Sequence, residues 1–469
     1  MKKIAIIVYD YYLANSLSLI SSAIVLAREG YDVRIFIDRS IYEGLKATFN
    51  DDRIHVHSIE MNTDVRKYDV TQQTAPMHLT TFIADAVTRL SDQRPDNGSS
   101  GRSSVRHILL ENARRIKLWL DDRRASARYS ACAKMLPPLS PDSLVNYVQR
   151  FFPFLLEFSQ KLAPYLDEDY VCFFGVEPFG LIAATLAADA SAQKRNIPVI
   201  YYNQELLLER ECHTLELKAL KALERTCNQL CYMTIIQDKN RAKRLLDDNG
   251  LAKDSLVCVP VANIAQPHSR KSHFLQDTYN IPREKKVLLY AGNMLSWSMC
   301  LEMAEAAQDW KDEFVLVLHS WREDMANDPY VRQITRLTGN GKVYLSLKQV
   351  EWQEMPELLS SADIGLAFYE DRGVNFSEIG HASNKLVQYF EVGLPVIVSD
   401  FPSLRAVIDK YGCGECGKGP RDIEHLAERI FQDYDTYRRN AFHCYKSEYD
   451  FSNYFRKVVA RIKEIELSS

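Results

Sequence analysis

The feature that most constrains this chain is a repeating unit: an unbroken apolar run, a polar break, then a segment with helical periodicity. Lys2 to Tyr9 (KKIAIIVY) is apolar throughout after its first two residues. Ser16 to Glu29 (SLSLISSAIVLARE) carries a helical pattern that Gly30 stops, and Tyr31 to Ile37 is apolar again. Runs without polar alternation suit strands covered on both faces, as in a parallel sheet, with the helix as crossover. The unit recurs with strands expected at Tyr170–Phe174, Pro198–Tyr202, Met233–Gln237 and Val257–Val261. Val287–Ala291 opens a second series, continued by Phe314–His319, Val343–Ser346, Ala362–Tyr369 and Val396–Val398. At 469 residues the chain exceeds one core of ordinary size. The expectation is therefore an α/β protein of two Rossmann-like domains facing a cleft. Residues 1–262 form the first domain, 263–286 a polar linker and 287–440 the second domain, and 441–469 a helix that packs back on the first domain.

Regular alternation lapses between residues 61 and 140. Ser91–Ser104 (SDQRPDNGSSGRSS) has no apolar period and reads as a linker. Residues 102–134 then place Arg106, Arg114, Arg115, Lys117, Arg123 and Arg124 among Ile108, Leu109, Ile116, Trp119 and Leu120, the pattern of a basic amphipathic helix. Such a helix either rests on an anionic membrane surface, making the protein membrane-peripheral, or packs as a solvated helix on the domain edge.

Overall charge argues against a nucleic-acid partner, because a net charge of −4 lacks the basic surplus that phosphate neutralisation requires. No apolar run reaches the length of a membrane span, and MKKIAIIVYDYY reads as a first strand rather than a signal peptide. Ten scattered cysteines fit reduced thiols, so the expected compartment is the cytoplasm and the sequons at Asn97 and Asn375 are chance matches. Cys413 and Cys416 form a single CxxC with no second ligand pair; this reads as a turn, and no metal site is expected. The loop Asp10–Asn15 (DYYLAN) lacks the GxGxxG fingerprint of dinucleotide binding.

Chemistry concentrates in His381–Asp400, HASNKLVQYFEVGLPVIVSD. Ser383 is a suitable N-cap, Leu386, Val387 and Phe390 make an apolar helical face, and Gly393 precedes Pro395 where a left-handed C-cap belongs. The loop before this helix leaves the carboxyl end of a strand, where doubly wound sheets bind ligands. A helix amino terminus there offers amides and a positive dipole end to an anion, and Lys385 adds a full charge. Gln388, one turn on, lies within reach of a sugar hydroxyl.

SNKLVQYFEVGLPVIVSD resembles the donor-binding segment of GT-B glycosyltransferases, particularly the family 4 group; the resemblance covers most of the second domain. It implies a glycosyltransferase that moves a sugar from a nucleoside diphosphate sugar, UDP- or GDP-linked, to a glycan, lipid-linked or protein acceptor. It further implies retention of anomeric configuration, no cofactor, and a place in cell-envelope or exopolysaccharide assembly. Carried over by position, Gly292, Asn293, Gly380, Ser383, Asn384, Lys385 and Gln388 would line the donor site, with Glu378 and Glu205 as catalytic carboxylates. The chain departs from the pattern at several points. Gln388 replaces the Glu that holds ribose, Asn293 and Ser298 replace an Arg and a Lys, Gln204 replaces a His, and Glu378 lies ten rather than eight residues before Gln388. Lys385, Arg322 and Arg372 compensate in part for the missing cations, with only Lys385 at a motif position, and His319, beyond a strand end, reads as a structural hydrogen-bonder. The departures also support an alternative, a catalytically silent GT-B protein acting as a binding or chaperone subunit. A sugar-nucleotide epimerase of the same architecture is disfavoured, since its acid and base carboxylates have no counterparts.

Overall fold

The structure, a computed structural model, describes residues 1–9, 13, 16–44, 49–62, 136, 139–166, 169–191, 196–350 and 354–468. The basic segment 102–134, the stretch 91–104, Asn97 and nearly all of the loop 10–15 lie outside these residues. The first sheet contains β1 (Lys3–Tyr9), β2 (Asp32–Asp38), β3 (Ile54–Ile59), β4 (Tyr170–Val176), β5 (Val199–Tyr202), β6 (Met233–Ile236) and β7 (Leu256–Cys258). Its order is β3-β2-β1-β4-β5-β6-β7, and every pairing is parallel. The second contains β8 (Lys286–Ala291), β9 (Phe314–Ser320), β10 (Val343–Leu347), β11 (Ile364–Ala367), β12 (Val396–Ser399) and β13 (Gly414–Gly417), in the parallel order β10-β9-β8-β11-β12-β13. Both are doubly wound, and strand order reverses beside β1 and beside β8, which opens a crevice at the carboxyl ends of β1/β4 and of β8/β11.

Around the first sheet lie α1 (Leu17–Arg28), α2 (Arg39–Gly44), α3 (Leu144–Phe151), α4 (Pro153–Leu162), α5 (Glu177–Ser191), α6 (Leu215–Gln229) and α7 (Lys239–Asn249). The chain continues through α8 (Phe274–Tyr279), α9 (Cys300–Ala307), α10 (Pro329–Thr335), α11 (Met355–Ser360), α12 (Val374–Ser377), α13 (Asn384–Glu391), α14 (Pro402–Tyr411), α15 (Ile423–Gln432), α16 (Tyr434–Glu448) and α17 (Phe451–Ser468). The unbroken apolar strands have the cause read from sequence: both faces are covered. Ile4, Ile6, Val8 and Phe174 pack under α1 and α17 on one side, while Ala5, Ile7, Phe173 and Tyr201 meet α3 to α6 on the other. In the second sheet Leu289, Val317 and Val398 pack beneath α13 and α16, and Leu288, Leu316 and Ile397 beneath α9, α10 and α15.

Several elements differ from the sequence expectation, each for a local reason. The edge strand β3 (IHVHSI) is buried only at its ends, so it lacks the continuous apolar signal of its neighbours. Cys416 lies in β13, the edge strand beyond β12, rather than in a turn, because Gly414 lets the strand press against Val396; a Cβ there would sit 2.3 Å from the Val396 carbonyl oxygen. The polar stretch 263–286 contains α8, whose Gln276 side chain donates to the Ser361 carbonyl at 2.9 Å and anchors it to the second domain. Residue 441 falls inside α16, which packs on α13 and α14, and only α17 returns to the first domain, against α1, β4 and β7. The two chain crossings between domains lie side by side: Asn263 and Asp450 form a parallel bridge. Asn263 Nδ2 also donates to Glu391 at 2.7 Å, and its Oδ1 accepts from the Tyr445 hydroxyl. Among the described residues no helix is long and apolar enough to cross a membrane.

Candidate functional site

α13 begins where the sequence places it. Ser383 is buried at 3% exposure, and its Oγ accepts from the Leu386 amide at 3.3 Å and pairs with the Tyr369 hydroxyl at 3.1 Å. Capping therefore consumes the Ser383 side chain, while Lys385 and Gln388 project from the next turn. Gln388 is half-buried, and its amide makes no hydrogen bond among the described residues.

The Lys385 ammonium occupies a cage of aromatic rings. Nζ lies 4.4 Å from the centroid of Tyr290, 5.4 Å from Tyr369 and 5.9 Å from Trp297, and it donates to the Tyr290 hydroxyl at 3.1 Å. No carboxylate among the described residues comes within ion-pair distance of it. Burial pushes the Lys385 ammonium down to about 8, since a charge surrounded by protein and lacking a counter-ion loses hydration that rings replace only in part. Gly292 makes this approach possible: its φ is +154°, and a Cβ would meet Nζ at 2.6 Å. The rings lock to one another as well, Trp297 stacking on Tyr369 at 6.2 Å and 13°.

The other cations of the region are committed. Arg322 pairs with Asp324 at 2.5 Å, while Arg372 reaches Glu370 and the Ser296 hydroxyl, each at 2.8 Å. Asn293 accepts the Tyr290 hydroxyl on its carbonyl at 2.8 Å, and its buried Oδ1 has no partner among the described residues. Ser298 is fully buried; its hydroxyl donates to the Leu295 carbonyl at 2.6 Å, closing the loop, and hydrogen-bonds the Tyr290 side chain, so it backs one ring of the cage and carries no charge to it. His319 is 2% exposed, pairs with Ser346 Oγ at 2.8 Å through Nδ1, and is held neutral by burial, which lowers it to about 4.

Gly380 has both backbone groups engaged inside the second domain. Its amide donates to Ser403 Oγ at 3.2 Å and its carbonyl accepts from the Tyr449 hydroxyl at 3.1 Å; a Cβ would lie 2.3 Å from the Ser403 carbonyl oxygen. Close packing against α14 accounts for glycine here. The Glu378 carboxylate points away from the second sheet to α7 of the first domain, accepting from Arg244 at 2.5 Å and from Asn240 at 3.4 Å. Glu205, just beyond β5, keeps 58% of its side chain exposed and stands 4.0 Å from Arg241. Desolvation by the surrounding protein raises its carboxyl above the ordinary range, against the opposing pull of the Arg241 charge. The carboxyl ends of β5, β6 and β11 thus meet across the two domains. Asn375, half-buried rather than displayed as a glycan acceptor, accepts from the Leu206 amide at 2.8 Å and donates to the Leu206 carbonyl at 2.9 Å.

Three participants escaped the sequence reading: Tyr290, Tyr369 and Trp297. The signal available for them was position, since Tyr290 and Tyr369 sit at or just past the carboxyl ends of β8 and β11 and Trp297 lies in the loop that follows β8. Asn384 flanks Lys385 in the first turn of α13.

No protein-family model matches the sequence, and no curated protein matches it. Solved structures do match in fold. Anabaena HepE, in complex with UDP and glucose, gives a TM-score of 0.62 at 11% identity over 99% of this chain and 100% of that one. The chain has the GT-B fold. Sucrose-phosphate synthase from Thermosynechococcus elongatus gives 0.60 at 11% identity over the whole of both chains, and a glycosyltransferase from Rickettsia africae 0.56 at 11% identity over 100% and 99%.

Proposed function

We propose that this protein is a glycosyltransferase of the GT-B type that takes a sugar from a nucleoside diphosphate donor, UDP-linked in the first instance, and passes it to an acceptor held by the first domain. The observation that carries the reading is Lys385: a caged cation without a carboxylate partner among the described residues, at the amino terminus of α13 and at the switch point of the second sheet. A protein tolerates an uncompensated ammonium when its counter-ion arrives with the ligand. During transfer the bond from the anomeric carbon to the phosphate oxygen breaks and negative charge grows on the diphosphate. Lys385 and the first-turn amides of α13 stabilise that charge without reorganising. In this reading Gln388 hydrogen-bonds a ribose hydroxyl, and Glu205, beyond β5, is the carboxylate assigned to the acceptor side. The fold shared with Anabaena HepE, in complex with UDP and glucose, supports the same reading.

Retention at the anomeric carbon and a cytoplasmic place in cell-envelope or exopolysaccharide assembly belong to this proposal through the resemblance of SNKLVQYFEVGLPVIVSD alone. Titration calorimetry with UDP, GDP and UDP-glucose tests it: micromolar UDP binding is expected, and silence toward all three ligands refutes it. A second reading, a silent binding subunit, draws on the commitment of Arg322 and Arg372 to Asp324 and Glu370, which leaves Lys385 alone of these three cations to meet two phosphates. UDP binding without hydrolysis or transfer of any donor would favour it.

A further inference from the structure

Between β11 and α13, residues 373–378 touch both halves of the molecule. On one side they hold the first domain. Asn375 pairs reciprocally with the Leu206 backbone and takes the Arg241 guanidinium at 3.0 Å, and the Val374 amide donates to Glu211 at 3.2 Å. Glu378 binds Arg244, whose two donors lie 2.5 and 3.2 Å from the same oxygen. Arg241 is fully buried, and one guanidinium nitrogen bridges the Gln204 carbonyl of the first domain at 2.6 Å and Asn375 of this segment. On the other side Phe376, between Asn375 and Glu378, packs against Trp297 at 5.4 Å and Tyr369 at 6.3 Å, two of the three rings around Lys385. Trp297 is itself tied back, its carbonyl accepting from the Glu370 amide at 2.8 Å.

The geometry points to residues 373–378 as a latch through which engagement of the first domain sets the aromatic cage of Lys385. Asn375 and Glu378 are positioning residues that act through Phe376. The inference rests on the donor-site reading above and adds how that site is regulated. With the latch closed, Phe376 holds Trp297 and Tyr369 against the ammonium; with it open, the rings lose that support and the competent site is populated less, which lowers apparent affinity in proportion. Glu378 on this view never approaches the transferred sugar, because its carboxylate is the latch's own ion pair.

A double-mutant cycle separates the roles. Arg244→Ala, Glu378→Ala and the double variant are compared for UDP affinity by calorimetry and, without ligand, for amide hydrogen exchange; Asn375→Ala is an independent breakage of the latch. A latch requires each single variant to weaken UDP binding about fivefold, the double variant to be no worse than either, and exchange to rise in residues 292–298, which none of the substitutions contacts. An effect of Glu378→Ala much larger than that of Arg244→Ala, additivity in the double variant, or faster exchange confined to 204–211 and 373–378 would overturn it. If the unmodified protein binds no UDP, the donor reading fails, and the ligand-free exchange decides the latch by itself.

Discussion

Replacing Lys385 with methionine should move stability and affinity in opposite directions. In the folded protein Lys385 titrates at about 8 rather than at its ordinary 10.5, so the fold disfavours its charged form. That gap corresponds to about 3 kcal/mol of unfavourable charge burial at neutral pH. Attraction from the three rings, about 0.5–1 kcal/mol for each well-placed ring, lies outside that figure and offsets part of it. Methionine keeps most of the length of the side chain and removes the charge, so a net gain of about 0–1.5 kcal/mol is expected in the unliganded protein. UDP binding loses a charge-assisted contact worth about 1.5–3 kcal/mol, a tenfold to hundredfold weakening. The pH dependence follows in sign. The unfolded chain holds this proton up to about 10.5 and the folded one only to about 8, so wild-type stability rises with pH across that window and the variant's does not. UDP affinity of the wild type should fall above about pH 8, by up to tenfold per unit, as binding comes to require uptake of the missing proton. Thermal melting without ligand and calorimetry at pH 7 and 9 read all of this. A methionine variant that melts lower and binds UDP within twofold of wild type would refute the reasoning.

Three other outcomes are expected. Gly292→Ala places a methyl group 2.6 Å from the Lys385 Nζ at a φ of +154° and should weaken UDP at least tenfold while costing about 1–2 kcal/mol in a denaturant melt. Gln388→Ala should weaken UDP about fivefold, the value of one hydrogen bond, and this penalty should shrink for a deoxyribose nucleotide if the amide holds a ribose hydroxyl. Glu391 is 6% exposed, and burial raises its carboxyl to about 7; its contribution to stability is full below about pH 4.5 and lost as pH rises through 7. Glu391→Gln, which keeps a partner for Asn263, should flatten that decline, so its melting temperature should exceed the wild type's at pH 8 but not at pH 5.

What the sequence disclosed follows from where the information resides. Strands such as β1, β9 and β12 were legible because two covered faces force apolar residues at every position. α13 was legible because Ser383, Lys385 and Gly393 are local signals within one short segment. The Lys385 cage was not, because its rings come from β8, β11 and the turn near residue 297 and converge only after the sheet forms. Glu378 shows the same limit more sharply: its position resembled that of a catalytic carboxylate, while its partner Arg244 lies 134 residues away on another domain. α8 escaped notice because a helix of six residues, two of them buried, has too few turns to impose a period.

The paired crossings at Asn263 and Asp450 carry a mechanical consequence. A single connecting strand would let the two halves swing, slide and twist. Two backbones running abreast, tied by Glu391 and Tyr445, resist shear and torsion, so the softest remaining motion is rotation about the line they share. Points on that line barely move when the halves part, and displacement grows with distance from it. For any such rotation residues 263 and 450 would be the fulcrum, and groups toward the open lip would sense it most strongly.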